Sequence, residues 1–381
     1  MDRHGRPATT EHLLHVIQTT PVIDHHAHNI LLPSEQEIHP LLSITTEATG
    51  EALQHTSSTL AHIRAVQQLA KILQCEPVWE TVEVKLQGKR ALDDDSWAKL
   101  CFSGIETVLI DDGLDTNTVH PYTWHDRLTP SPCKRIVRIE KIAEDALLQA
   151  IKYRESVRGQ SKAQFNLTNF VLEKFVSEIN RAILDSEVVG FKSVICYRTG
   201  LAIPQYDEGM FHQGIQAISD AKDLVRNASR LEDAVLSPGF VHLTAQLITR
   251  GNFRKPFQFH TGLGDNDIRL RFSSPSHMQP FIEQYPSVPI VLLHASYPFT
   301  KEAGYLASTY RNVYLDIGEV FPMVSHEGQE NVIREALELC PSEKLLWSTD
   351  GHWFPETYLL AMLQIREALS KVCHYSMSQG A

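Results

Sequence analysis

Eight short apolar segments, separated by stretches with helical periodicity, limit the fold more than any other feature of this chain. They are Pro21–His28, Gly104–Asp112, Arg135–Glu140, Val188–Tyr197, Pro256–His260, Pro289–His294, Val313–Gly318 and Lys344–Asp350. Short apolar strands alternating with helices indicate a parallel sheet covered by helices. Eight such units predict a closed (β/α)8 barrel. The alternative, an open doubly wound sheet, calls for a glycine-rich phosphate loop after the first strand, and none follows Pro21–His28. Residues 10–20 read as a short helix ahead of the first strand. Residues 29–100 read as a mainly helical insertion, with apolar spacing through Thr59–Leu73. Helical patterns are also expected over 164–185, over 208–249 with a break near Ser237-Pro238-Gly239, and over Glu356–Lys371. The expected organisation is a single barrel domain over residues 1–381 with the insertion 29–100 largely outside it.

The strand ends carry chemistry. Strand one runs into Asp24-His25-His26-Ala27-His28. Residues two apart in a strand share a face, so His26 and His28 project together as a metal chelate, with Asp24 placed to orient them. Strand five ends in His260, strand six in His294 and strand eight in Asp350, while strand four contains Lys192. In a barrel these ends form the reactive face. Imidazoles and a carboxylate suit Zn2+, one ion or two, with Mn2+ fitting a more oxygen-rich shell. Arg198, just past strand four, can either grip a substrate carboxylate in a two-pronged contact or form an ordinary salt bridge.

Composition narrows the class. A net charge of −11 argues against a nucleic-acid binder held by phosphate contacts. Six widely spaced cysteines without a CxxC pair read as free thiols of a reducing compartment. The N-terminus has no apolar signal core, and no apolar run approaches the ~18 residues that span a bilayer. These features predict a cytoplasmic protein acting on a small molecule, away from membranes, and leave a homo-oligomer open.

The segments IDHHAH (23–28), FKSVICYRTG (191–200), FQFHTGLGD (257–265), VLLHASYP (291–298) and LLWSTDGHW (345–353) resemble the amidohydrolase superfamily of metal-dependent hydrolases. More closely, they resemble the amidohydrolase-like half of fungal FluG-type and plant nodulin/glutamine-synthetase-like fusions. No glutamine-synthetase-like region follows within the 381 residues. The resemblance implies His26, His28 and His260 as metal ligands and Asp350 as ligand and proton shuttle. His294 would be a second-metal ligand or an electrophile beside the substrate. Lys192 would ligate only as its carbamate, because an ammonium cannot bind a cation. The other reading of Lys192 is an ion pair with Glu140 or Asp111.

The implied reaction is attack by metal-activated hydroxide on an amide or related C–N bond other than a specific peptide bond. A metal-dependent non-oxidative decarboxylase of the same superfamily is the alternative, and a non-catalytic regulatory barrel a third reading. The fusion resemblance points weakly to a glutamyl or other nitrogen-rich substrate. Loops 29–58, 113–134, 198–208 and 261–277 are expected to shape its pocket, and the segment 318–328 has no assigned role.

Overall fold

A computed structural model describes residues 9–92, 94–156, 166–218, 230–251 and 254–378. Its eight strands form one sheet in sequence order: β1 (Val22–Ala27), β2 (Ile105–Asp111), β3 (Lys134–Arg138), β4 (Val188–Ser193), β5 (Phe257–Phe259), β6 (Ile290–Leu292), β7 (Val313–Asp316) and β8 (Leu345–Leu346). The ladders β1–β2, β3–β4, β4–β5, β5–β6 and β7–β8 are parallel. Beyond β8 the backbone continues against β1: Asp350 N donates to His26 O at 3.1 Å and His28 N to Gly351 O at 2.7 Å. The result is the expected (β/α)8 barrel.

The expected helices form with local reasons, but Ser237-Pro238-Gly239, expected as a break, lies in the first turn of the helix Leu236–Arg250, where proline's missing N–H is tolerated. Thr9 caps Thr10–Thr19 by accepting from His12 N, and Thr59 caps Leu60–Leu73 by accepting from His62 N. Asn166 caps Leu167–Leu184, accepting from Asn169 N. The start of that predicted helix, including Phe165, and positions 219–229 of the 208–249 pattern lie outside the described residues.

By contact density the chain divides into two compact units. The first comprises residues 1–134, 264–266 and 315–381. Here the insertion is part of the core: Leu69, Val82, Leu86 and Trp97 belong to the same apolar cluster as Ile105 and Val108 of β2 and Tyr358 and Met362 of the helix Pro355–Ser378. Buried Glu356 joins the two, accepting from Arg90 at 2.5 Å and from Trp97 Nε1 at 2.7 Å. The unmapped segment 318–328 holds a short helical turn, Val320–Met323, and the start of the helix His326–Leu339.

The second unit comprises residues 135–263 and 267–314. One face of its strands packs on helices: Phe259 of β5 meets Phe281 of the helix Gln279–Gln284 at 5.5 Å. Phe175 and Phe211 converge on Phe240 at 4.7 and 5.0 Å between helices. With Phe259 turned toward the helices, Gln258 and His260 point the other way, into the barrel.

One expected boundary moves. β4 ends at Ser193, and the chain tightens into a 3-10 turn at Ile195–Tyr197. Lys192 therefore lies one residue from the strand end, instead of several residues below a rim at Tyr197. The apolar run Val194-Ile195-Cys196 looks like strand in sequence, but it is buried in the turn.

Candidate metal centre

In the first unit the end of β1 and the segment after β8 bring three donors together. His26 Nε2 lies 3.3 Å from Asp350 Oδ1, and His28 Nε2 lies 3.5 Å from the same oxygen. Donors about 2.0–2.1 Å from a shared ion at tetrahedral angles stand about 3.3–3.4 Å from one another. The donor set thus fits a transition-metal ion in spacing as well as in chemistry. The two imidazoles meet edge to face with centroids 5.1 Å apart, so their Nε2 atoms converge without stacking.

Hydrogen bonds around these residues fix which atoms face the centre. His28 Nδ1 donates to the carbonyl of Asp111 at 2.9 Å. That places the proton on Nδ1 and leaves the Nε2 lone pair toward Asp350. Tyr358 Oη donates to the His28 carbonyl. Asp111 also stands with His26 and His28 in a group whose ligand-type atoms all lie within 4.8 Å of one another. Its side chain accepts from Gly113 N at 3.0 Å.

Asp24, fully buried, links β1 to the residue before Asp350. It accepts from Thr349 N at 2.9 Å and from Thr349 Oγ1 at 2.5 Å. Burial raises its pKa to about 7, and the Thr349 hydrogen bonds oppose that rise. Asp350 itself adopts a left-handed backbone, φ 51°, a conformation aspartate accepts more readily than most residues. Burial also holds His352 below the usual imidazole range; its Nδ1 donates to the Asp350 carbonyl at 2.8 Å.

A loop acid, Glu47, stands near both Asp350 and Asp265. Glu47 is raised to about 8, chiefly by burial and further by the charges of Asp350 and Asp265. Both loops, 29–58 and 261–277, were expected to shape the pocket. The individual acids were not legible, because a loop has no periodicity to say which side chain turns inward.

In the second unit His260 and His294 pack with ring centroids 4.3 Å apart, and Tyr197 covers His260 at the same distance. His260 Nε2 donates to the Leu263 carbonyl at 2.6 Å, which leaves Nδ1 as the lone-pair nitrogen. His294 is fully buried at a left-handed backbone position, φ 66°.

Lys192 is buried, 1% exposed, in register with Arg138 of β3 and Gln258 of β5. The expected alternative, a Lys192–Glu140 pair, is not the arrangement formed. Glu140 accepts from Ser193 Oγ at 2.6 Å and from Val194 N at 3.0 Å. Ser193 neighbours Lys192 in the strand and so points to the opposite face of the sheet. Arg198 is likewise grouped with acids of the helix Ile139–Ser156: its attractive neighbours are Glu140 and Glu144, and Arg230 opposes them. Burial lowers its pKa. Glu140 and Glu144 are influenced in the same way by Arg138.

Residues 252–371 match the amidohydrolase family model. The chain is 45% identical to the protein fluG of Emericella nidulans over 96% of its own length, and it spans 43% of that relative. The crystal structure of an inferred metal-dependent hydrolase from Lactobacillus casei superposes with a TM-score of 0.76 at 26% identity, covering 94% of this chain and 89% of the other. A uronate isomerase from Bacillus halodurans shares the fold at 13% identity and a TM-score of 0.64, covering 98% of this chain and 90% of the other.

Proposed function

The chain belongs to the amidohydrolase superfamily, and from that premise we propose that it is a metal-dependent hydrolase cleaving an amide or related C–N bond in a small molecule. The observation that carries this reading is the convergence of His26 Nε2 and His28 Nε2 on Asp350 Oδ1 at 3.3 and 3.5 Å. Zn2+ suits two imidazoles and a carboxylate, with Mn2+ the second candidate. Such an ion supplies Lewis acidity and lowers the pKa of a bound water to about 7.

The protein's own groups have separate tasks in this reading. His26 and His28 hold the ion through Nε2, and the Asp111 carbonyl keeps the His28 proton on Nδ1. Asp350 accepts the proton from the attacking water at a carboxylate oxygen and delivers it to the leaving nitrogen. Asp24, through Thr349, keeps Asp350 at that position. His260, through Nδ1, and His294 fill the further ligand or electrophile positions that the family pattern implies. Lys192 serves as a ligand only when carboxylated, which is the condition for a second ion.

The test is elemental analysis together with a product assay. The purified wild-type chain should carry about one or more equivalents of divalent metal, and His26→Ala/His28→Ala should lose it. Stoichiometric metal in the double variant overturns the assignment. Release of an amine or ammonia from a screened amide panel identifies hydrolysis. Release of CO2 from carboxylated substrates, without amine, replaces it with the decarboxylase reading.

A further inference from the structure

In the first unit, residues 28–32 run on from β1 and are bonded on both sides. Toward the segment after β8, His28 N donates to Gly351 O at 2.7 Å and Leu31 N to Trp353 O at 3.0 Å, while Asn29 O accepts from Trp353 N at 3.1 Å. Toward the loop after β2, Leu32 N donates to Thr118 O at 2.9 Å, and Ile30 O accepts from His120 N at 2.8 Å. Asn29 Nδ2 donates to His120 O at 2.8 Å. The Ile30 N–H meets a side chain instead of a carbonyl. It donates at 3.2 Å to Nε2 of His125, a fully buried imidazole in the 3-10 turn Tyr122–Arg127. His125 Nδ1 donates to the Tyr122 carbonyl at 3.2 Å, which fixes the proton there and leaves Nε2 as the acceptor. Burial lowers the pKa of this ring to about 4, so at pH 7 it is neutral and keeps that lone pair.

We propose that His125 is a positioning residue for the metal centre: its Nε2 holds the chain two residues beyond His28, so that the His28 ring keeps its direction toward Asp350. The proposal rests on the reading of His26, His28 and Asp350 as metal ligands. Ile30 is buried, and a buried N–H left without an acceptor is costly. Without His125 Nε2, the backbone at Ile30 shifts to find another partner, and His28 shares that backbone. The His28 Nδ1 bond to the Asp111 carbonyl is made toward the same loop. A ligand set works only while its donors stay within about 0.5 Å of the productive geometry. The two nitrogens of His125 can be tested apart. A glutamine amide places an oxygen near the position of Nε2 and keeps the acceptor for Ile30. An asparagine amide reaches only the position of Nδ1, where it keeps the donor for Tyr122 and leaves Ile30 unanswered.

The test compares wild type, His125→Gln and His125→Asn with Leu86→Ala, a substitution in the buried core of the insertion. Each protein is unfolded in urea, titrated with Zn2+ against a competing chelator, and loaded with Co2+, whose visible spectrum reports the geometry of its ligands. His125→Asn should bind Zn2+ at least about tenfold more weakly than wild type and change the Co2+ spectrum. His125→Gln should keep wild-type affinity and spectrum. Leu86→Ala should lower the urea midpoint and leave both metal readouts alone. Wild-type affinity and spectrum in His125→Asn overturn the proposal. Equal losses in His125→Asn and His125→Gln also overturn it, as does an equal loss in Leu86→Ala, because lower stability alone would then suffice. If His125→Asn does not fold, hydrogen exchange of wild type carries the test. By linkage, Zn2+ should slow the Ile30 amide more than the Leu86 amide, and equal slowing overturns the proposal. A wild type that takes up neither ion overturns the metal reading and this proposal with it, whereas normal uptake with an unaffected His125→Asn overturns the proposal alone.

Discussion

Gly351 follows Asp350 and has no room for a side chain. A Cβ built there meets the Tyr358 ring at 2.5 Å. That ring cannot move aside, because it is fully buried and stacked on Phe102 at 4.2 Å. Its hydroxyl in turn holds the His28 carbonyl. Gly351→Ala should therefore cost about 1–3 kcal/mol by overpacking and lower metal occupancy by shifting His28. Tyr358→Phe removes only the hydrogen bond and should cost about 1 kcal/mol with metal retained. Urea unfolding and metal content of both variants check this. Equal effects of the two substitutions would show that the hydroxyl, not the packing, is the sensitive contact.

Among the elements, the insertion departs furthest from its polar appearance. The helices Trp79–Arg90 and Ser96–Cys101 are fastened to Pro355–Ser378 through a single carboxylate. Glu356 is fully buried and takes both Arg90 and Trp97, and the Arg90 guanidinium also lies over Phe354 at 4.5 Å. Removing one partner of a buried ion pair leaves the other charge without compensation. Glu356→Ala should destabilise the chain by roughly 3–5 kcal/mol, more than Glu356→Gln, which keeps an acceptor for Trp97. Hydrogen exchange should show added opening of residues 79–101 before that of β1. Unchanged protection across 79–101 in the alanine variant would refute this account of how the insertion is held.

For the whole molecule, a metal that binds the folded chain and not the unfolded one adds RT ln(1 + [L]/Kd), about 2.7 kcal/mol at a hundredfold excess over Kd. Chelation should lower the melting temperature by a few degrees, and Zn2+ should restore it. His26→Ala/His28→Ala should melt at the same temperature with and without chelator. A chelator shift that survives in the double variant would place the stabilising ion elsewhere. Among the described residues no helix is long and apolar enough to cross a membrane.

What the sequence by itself determined was set by local rules. Strand and helix alternation and the shared face of His26 and His28 depend on residues within a few positions of one another, and periodicity records them. The end of β4 escaped that record, since a buried 3-10 turn and a buried strand need the same apolar residues. Tertiary structure alone decided the rest. The Asp111 carbonyl selects the His28 tautomer, Thr349 takes up Asp24, and Glu140 sits behind β4 instead of against Lys192. Strand register sets Arg138, Lys192 and Gln258 side by side, a relation between three segments far apart in the chain. Hydrogen bonds and register join residues tens to hundreds of positions apart, and a single chain of letters carries no term for that distance until the sheet fixes it.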